Sequence, residues 1–208
     1  MRSILLFLAL FVVGLPAIAT ASPAGAAGEE PAIARTKALI AAFQKVKEGA
    51  PARANAAVFD ELDGYIDFGT ITAAALEPRK DKFTKAQRKQ FDEMFTELIR
   101  GIAYPNSGGF FRDAEWKILP AAKKQGDVTI VTLDTRLPKE DLETEVGLHW
   151  KGAGKEMKIV DVSFDGDSLV ADYRNQFMRI VDKEGSAGLV AKARAKLDEL
   201  KQKQGKKE

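Results

Sequence analysis

The chain has 208 residues, 45% of them hydrophobic and 30% charged, which is the composition of an ordinary soluble domain long enough to bury a sizeable core. The 32 basic residues nearly balance the 30 acidic ones. The chain therefore lacks the excess positive charge with which nucleic-acid binders neutralise phosphates, and no nucleic-acid partner is expected. It contains no cysteine, which excludes disulfides and thiol chemistry.

Residues 1–21 have the pattern of a secretory signal peptide. A basic residue precedes an apolar run over residues 4–13, and small residues follow at positions 19–21. The run is shorter than the ~20 residues that a membrane-spanning helix needs, so a cleaved signal is favoured over an anchor. Cleavage is expected after Ala21, with Ala27 as the alternative. Residues 22–30 are expected to form a flexible leader.

The first half of the mature chain has helical periodicity. Apolar residues three and four apart predict helices over residues 31–47, 52–62 and 71–76. The clearest helix follows Thr84, because the Thr84 hydroxyl and the Gln87 amide can form a capping box. Residues 105–109, which include a proline and two glycines, are predicted to end this helix.

From residue 115 the periodicity becomes alternating. Strands are predicted over residues 115–119, 127–137, 144–151 and 157–164. In the third strand, Val146, Leu148 and Trp150 alternate with polar or small residues. One face of the sheet is therefore expected to be apolar and the other wet, as in an antiparallel sheet packed on one side.

The last part of the chain is predicted to be helical after a turn at Asp165-Gly166. Ser168 is expected to cap an amphipathic helix that folds back across the sheet. Gly185 is expected to end this helix, and Ser186 is expected to cap a second helix. Residues 201–208 are expected to be a basic, disordered tail.

The order of the predicted elements indicates the fold class. Helices, then strands, then helices indicate one α+β domain over residues 31–200, with a curved, mostly antiparallel four-stranded sheet wrapped by helices.

Residue types used in catalysis are sparse. The one histidine, His149, lies on the polar side of its predicted strand, so an exposed, uninvolved side chain is favoured over a ligand or a base. Asp134 and Asp161 could act as a general base if they faced a cavity, but surface positions are favoured. The chain has no phosphate-binding loop, dinucleotide fingerprint or nucleophile elbow. The sequence predicts no enzyme activity, no cofactor and no metal site.

Bulky apolar residues flank the expected gap between the sheet and the first late helix. The sequence is compatible with a filled core and with a partly open lipid pocket. In a pocket, an acyl chain of about sixteen carbons would gain on the order of 10 kcal/mol by burial. The candidate pocket-lining residues are Phe91, Phe95, Leu98, Tyr104, Val131, Leu133, Val146, Leu148, Trp150, Val160, Val162, Tyr173 and Phe177.

A series of motifs, in order, resembles the MlaC family, also called toluene-tolerance proteins, which are periplasmic carriers of phospholipid between the two membranes of Gram-negative bacteria. The series covers most of residues 65–190. It comprises Asp67-Phe68, residues 84–88 with Phe91, Phe95, Leu98 and Tyr104, residues 148–151, residues 159–162, Gly166, Ser168-Leu169, Tyr173-Arg174, Gln176-Phe177, Gly185 and Gly188-Leu189.

The resemblance implies a cone-shaped fold of the nuclear-transport-factor type, with acyl chains between sheet and helices and the head group outside. It implies phospholipid as the ligand and no enzyme activity. It also implies two hand-over partners: an inner-membrane ABC transporter with a ring-forming lipid-binding subunit, and an outer-membrane lipoprotein complex. The hypothesis is a soluble periplasmic carrier that shuttles phospholipid between these complexes. The alternatives are a carrier of another apolar lipid such as a hopanoid, a cone-fold enzyme, and an adaptor that binds only protein.

Overall fold

A computed structural model describes residues 30–50 and 52–205. The predicted signal peptide and all but the last residue of the predicted leader lie outside the described residues, as do residues 51 and 206–208. Within the described ranges, no helix is both long enough and apolar enough to cross a membrane.

The described chain forms a series of helices, then an antiparallel sheet, then a long interrupted helix. The helices are α1 (Pro31–Gln44), α2 (Ala56–Asp63), α3 (Phe68–Leu76), α4 (Lys85–Leu98), α5 (Tyr104–Asp113) and α6 (Leu169–Gly205). The strands are β1 (Glu115–Ile118), β2 (Lys123–Gln125), β3 (Val128–Leu137), β4 (Leu142–Lys151), β5 (Lys158–Phe164) and β6 (Asp167–Ser168). Short 3-10 segments cover Ala52–Asn55, Glu77–Lys82 and Gly154–Glu156.

Two early helices begin where a side chain satisfies free backbone N–H groups. The predicted capping box before α4 is present: the Gln87 N–H donates to Thr84 Oγ1 over 3.2 Å, and the Thr84 N–H donates to Gln87 Oε1 over 2.9 Å. The α3 helix begins at Phe68, three residues earlier than predicted, because Asp67 accepts a hydrogen bond from the Thr70 N–H over 2.9 Å. Each such cap stabilises its helix by about 1 kcal/mol.

The prediction that the capped helix ends at residues 105–109 is wrong. The chain continues from α4 through a π-helical segment, Ile99–Ala103, into α5. Pro105 is tolerated because it lies in the first turn of α5, where the missing backbone N–H removes no hydrogen bond within that helix. Gly108 is buried where α5 approaches α1, since a Cβ at this position would lie 2.8 Å from the Cβ of Val46.

The sheet has the strand order β1-β3-β4-β5-β6, with β2 also paired to β3, and every pairing between these strands is antiparallel. The four predicted strands are present, but the sheet has six strands rather than four. The sequence did not indicate β2, which is entirely polar, or β6, which has two residues. The predicted apolar face is present, with Val131, Leu148 and Val162 side by side across β3, β4 and β5.

The α6 helix begins and breaks at the predicted residues. Asp165 and Gly166 both have positive φ and form the two-residue turn between β5 and β6. Ser168 Oγ then accepts a hydrogen bond from the Ala171 N–H over 3.0 Å. Gly185 interrupts the helix with φ 74° and ψ 175°, a conformation that favours glycine. The helix extends to Gly205, so residues 201–205 are helical where a disordered tail was expected.

Buried hydrophobic side chains form two clusters. The first, here called the sheet cluster, joins the apolar face of the sheet to α1, α2 and α5. The second, the helical cluster, joins α3, α4 and α6. The α6 helix packs mainly against α3 and α4 and touches the sheet at β5 and β6. It does not lie across the sheet as expected, because α1 covers the apolar face.

Candidate functional site

The candidate site is the boundary between the sheet cluster and the helical cluster. Phe68 at the start of α3 and Ile99 at the start of the π-helical segment are half-buried, and both pack against both clusters. Neither was among the predicted pocket-lining residues. Phe68 follows the capping Asp67 and Ile99 continues the apolar stripe of α4, but neither pattern indicates a residue shared between two clusters.

The thirteen predicted pocket-lining residues divide between the two clusters rather than surrounding one space. Those that belong to or pack against the sheet cluster are Tyr104, Val131, Leu133, Val146, Leu148, Trp150 and Val162. Those of the helical cluster are Phe91, Phe95, Leu98, Tyr173 and Phe177. Val160 on β5 is half-buried and belongs to neither cluster.

The thirteen residues also differ in burial. Eight are buried: Phe91, Phe95, Tyr104, Val131, Leu133, Val146, Leu148 and Trp150. The remaining five are half-buried: Leu98, Val160, Val162, Tyr173 and Phe177. Four of these five pack against a cluster: Val162 of β5 against the sheet cluster, and Leu98, Tyr173 and Phe177 of α4 and α6 against the helical cluster. Their uncovered apolar surface is what a hydrophobic ligand could bury.

Four aromatic rings form the side of the helical cluster that includes α4 and α6. Tyr173 and Phe177 stack with ring centroids 5.6 Å apart and planes at 3°. Tyr173 meets Phe95 edge-to-face at 5.4 Å, and Phe177 meets Phe91 in the same way at 5.2 Å. Because each ring is fixed by at least two others, Tyr173 and Phe177 present a defined apolar surface although they are only half-buried.

Two of the buried aromatic residues have structural hydrogen bonds in the sheet cluster. The Trp150 indole N–H donates to Thr36 Oγ1 over 2.9 Å, which joins β4 to α1. The Tyr104 hydroxyl donates to Asp63 Oδ1 over 2.7 Å, which joins α5 to α2. Burial, and then the hydrogen bond to Asp63, raise the pKa of Tyr104 far above its ordinary value. Both rings therefore have a role in the fold itself.

Two surface depressions lie elsewhere on the described part of the molecule. One, of about 460 Å³, is at the start of α4 and is lined by Phe83 and mostly charged residues. The other, of about 550 Å³, is at the end of the sheet and is lined by Trp116 and mostly charged or polar residues. None of the thirteen predicted residues lines either depression.

Of the two candidate catalytic carboxylates, Asp161 is hydrogen-bonded at the start of α6, and Asp134 lines the polar depression at the end of the sheet. Asp161 Oδ1 accepts hydrogen bonds from the N–H groups of Val162 and Val170, over 2.8 Å and 3.0 Å, and Oδ2 accepts one from the Ser168 hydroxyl. Asp161 thus holds the start of α6 to β5. Asp134 is exposed, as the sequence favoured. Among the described residues, no group of three or more His, Asp or Glu side chains is placed to hold a metal ion.

The prediction that His149 is exposed and uninvolved is wrong. Its side chain is half-buried and Nε2 lies 3.0 Å from the Ser163 hydroxyl oxygen. Burial lowers the pKa of His149, and the charge of Asp161 partly opposes this effect. Because Asp161 is committed to the start of α6, it does not orient His149 as the acid of a catalytic triad would. The pair is a hydrogen bond between β4 and β5 on the face opposite the sheet cluster.

Comparison with known proteins places the chain in a family. The sequence profile of the MlaC protein matches residues 32–195, well over half of the chain, whereas no curated protein sequence matches it. Among solved structures, the phospholipid-binding protein from Ralstonia solanacearum, solved in complex with a phospholipid, is similar, with 17% sequence identity. The alignment covers 84% of this chain and 99% of that one with a TM-score of 0.67, which confirms the α+β fold class. This chain belongs to the MlaC family.

Proposed function

We propose that this protein is a soluble carrier that binds phospholipid at the boundary between its sheet cluster and its helical cluster. Membership of the MlaC family and the shared fold with a phospholipid-binding protein support this ligand class. One observation supports the location: Phe68 and Ile99 are half-buried and pack against both clusters. Half-buried apolar side chains of β5 pack against the sheet cluster, and those of α4 and α6 pack against the helical cluster.

The energetics favour acyl chains over smaller ligands at this boundary. Each buried CH₂ group contributes about 0.8 kcal/mol, so two chains can compensate for partial separation of the clusters. The phosphate stays in water, because transferring a charged group into an apolar environment costs several kcal/mol unless it is paired. Tail burial with an exposed head group gives a soluble complex that can still be recognised by other proteins.

The proposed role is the transfer of lipid through the periplasm. The hand-over partners in this proposal are an inner-membrane ABC transporter with a ring-forming lipid-binding subunit and an outer-membrane lipoprotein complex. Half-buried boundary residues suit a carrier better than a sealed cavity does, because a ligand between surfaces that are already partly exposed is released with less rearrangement. No enzyme step is proposed, since Asp161 caps α6 and Asp134 is exposed.

The test is native mass spectrometry of protein purified from the periplasm without detergent. We expect a phospholipid mass on the intact protein, its loss after detergent treatment, and reloading from phosphatidylethanolamine vesicles. Detection of a hopanoid mass instead would assign a different class of lipid to the same proposed site. Protein that carries no lipid and takes none up from vesicles would contradict the proposal and favour the protein-only adaptor.

A further inference from the structure

Arg35 of α1 carries a nitrogen that the fold leaves without a hydrogen-bond partner. Among the described residues, its Nε is the one buried side-chain nitrogen or oxygen with no partner, and the residue is half-buried. The acceptors that the described chain offers Arg35 are two backbone carbonyls, not a carboxylate. A half-buried cation without an anion beside it is unfavourable.

Other half-buried arginines of the described residues have the partners that Arg35 lacks. Those in ion pairs with a carboxylate are Arg79, Arg88 and Arg100. Arg174 resembles Arg35 in bonding to a backbone carbonyl, but there it is Nε that donates, to the Ala74 oxygen over 3.1 Å. Arg35 is therefore the half-buried arginine with both an unpartnered Nε and no carboxylate.

The guanidinium of Arg35 is fixed in place on one side. Its Nη2 donates to the carbonyl oxygens of Gly64 and Met157 over 3.1 Å and 3.0 Å. Its Cζ lies 4.2 Å from the centre of the Tyr65 ring, whose face compensates part of the charge. The Nη1 group has no hydrogen bond to a described residue and is not enclosed as Nε is. A ligand can therefore reach the guanidinium at Nη1 without displacing the contacts that hold it.

The chemistry of this group favours a phosphate. The guanidinium charge is delocalised over all three nitrogens, so an anion at Nη1 also offsets the charge at the buried Nε. A phosphate brings this charge together with several acceptor oxygens, and arginine is the side chain that matches it best. A neutral ligand would supply only an acceptor.

The position of Arg35 is compatible with the phosphate of a lipid at the boundary. The Tyr65 ring beneath the guanidinium is three residues before Phe68, which packs against both clusters. The Cα atoms of these two residues are thus at most about 11 Å apart. The hydrocarbon of one membrane leaflet is about 15 Å thick, so a lipid with its tails at the boundary is long enough to place its phosphate at Arg35.

We propose that Arg35 binds a phosphate group through its guanidinium. Two sources share this chemistry, namely the phosphate of the bound phospholipid and free phosphate. The lipid source rests on the proposed function, because it requires a lipid at the boundary. It gives the carrier a means of preferring phospholipids over apolar lipids without phosphate.

The first arm of the test is a competition between two lipids that differ in the phosphate. Lipid-free protein is incubated with phosphatidylcholine vesicles that contain equal amounts of phosphatidylglycerol and diacylglycerol with the same acyl chains. Native mass spectrometry gives the ratio of these two complexes. We expect the ratio to favour phosphatidylglycerol in the wild type and to fall about tenfold in Arg35→Gln, since a charged hydrogen bond is lost. A loss of stability alone lowers both complexes alike and leaves the ratio unchanged.

Arg174→Gln is the matched control, because it removes another half-buried guanidinium that bonds to a backbone carbonyl. The second arm is isothermal titration calorimetry of lipid-free protein with inorganic phosphate alone. It reports on the free phosphate source without any lipid.

The outcomes separate the two sources and the two proposals. A lipid ratio that falls in Arg35→Gln and not in Arg174→Gln supports the inference with the lipid as the source. An unchanged ratio with inorganic phosphate that binds the wild type and not Arg35→Gln supports it with free phosphate as the source. An unchanged ratio or an equal fall in both variants, without such phosphate binding, overturns it and leaves the proposed function standing if lipid is bound. Absence of lipid from every protein overturns the proposed function, and the phosphate titration alone then decides the inference.

Discussion

The sheet cluster and the helical cluster are built differently. The sheet cluster combines buried apolar residues with hydrogen bonds between distant elements, such as those from Trp150 to Thr36 and from Tyr104 to Asp63. In the helical cluster, the large aromatic residues of α4 and α6 contact one another as stacked and edge-to-face rings. The sheet cluster has such ring pairs as well, between α1, α2 and α5. Among the described residues, 17 buried and 12 partly buried side chains make up the sheet cluster, against 9 buried and 10 partly buried in the helical cluster.

This difference indicates which part of the molecule can adapt. A cluster fixed by directional hydrogen bonds and full burial loses a large amount of free energy when its members move. A cluster in which partly buried members outnumber the buried ones loses less, because its apolar surface is already partly hydrated. We therefore expect the helical side of the boundary to adjust to a lipid while the sheet side stays fixed.

The largest effect is expected from a charge placed in the sheet cluster. Leu148 is 4% exposed and lies between Val131 and Val162 in the sheet. Leu148→Asp buries an unpaired carboxylate there and should lower the free energy of unfolding by about 4 kcal/mol or more. Urea unfolding followed by circular dichroism measures this. Leu148→Met should cost less than about 1.5 kcal/mol, and a folded, stable Leu148→Asp protein would refute the assignment of Leu148 to a closed core.

A charge in the helical cluster should affect lipid before it affects the fold. Phe177 is half-buried and faces Tyr173 and Phe91. In Phe177→Asp the carboxylate can remain hydrated, so we expect a folded protein whose lipid occupancy, measured by native mass spectrometry, falls more than tenfold. Phe177→Leu, which keeps apolar surface, should retain most of the lipid. Unfolding of Phe177→Asp to the same degree as Leu148→Asp would show that the two clusters do not differ.

Local features of the fold could be predicted from the sequence, because neighbouring residues determine them. The capping box at Thr84 and Gln87, the turn at Asp165-Gly166 and the helix break at Gly185 each need only a few adjacent residues. The alternation in β4 likewise determines which side chains share a face of the sheet. The strand pattern therefore predicted the apolar face correctly.

Features that depend on distant residues could not be predicted. Pro105 looked like a helix end, and only the π-helical segment before it and the contact of Gly108 with α1 explain why the helix continues. The periodicity of α4 marks Phe91, Phe95, Leu98 and Ile99 alike as apolar. It does not show that Phe91 and Phe95 are buried, or that the half-buried Ile99 packs against both clusters whereas Leu98 packs against the helical cluster alone. That division depends on how α6 and the sheet pack, which no local pattern encodes.

Glycines on the two sides of the boundary allow a finer comparison. A Cβ at Gly108 would meet the Phe43 carbonyl oxygen at 3.0 Å and the Val46 Cβ at 2.8 Å, whereas a Cβ at Gly109 has its nearest neighbours, two flexible side chains, at 3.9 Å and 4.0 Å. Gly108→Ala should therefore destabilise the protein by about 2 kcal/mol. Gly109→Ala is the control and should be neutral or stabilise by up to about 1 kcal/mol. Thermal unfolding of both variants measures the difference.

The corresponding glycine next to the helical cluster is Gly101, in the π-helical segment. A Cβ there would meet the side chain of Leu200 on α6, and a flexible side chain can rotate away at little cost. Gly101→Ala should therefore cost less than Gly108→Ala in the same thermal unfolding experiment. Equal losses would show that the helical cluster is packed as rigidly as the sheet cluster.

The smallest expected effect is a pH dependence at His149, on the face of the sheet opposite the sheet cluster. Because burial lowers the pKa of His149 below 6.5, the unfolded chain binds more protons than the folded one between these two pKa values. The contribution to stability is thus fully present above pH 6.5 and is lost as the pH falls through the folded pKa. Urea midpoints between about pH 7.5 and 5 should decrease more for the wild type than for His149→Gln, which can still bond to Ser163. Parallel decreases would show that groups other than His149 control the stability at acidic pH. The sheet would then tolerate a charged His149, and the rigidity of the sheet would depend on its apolar face alone.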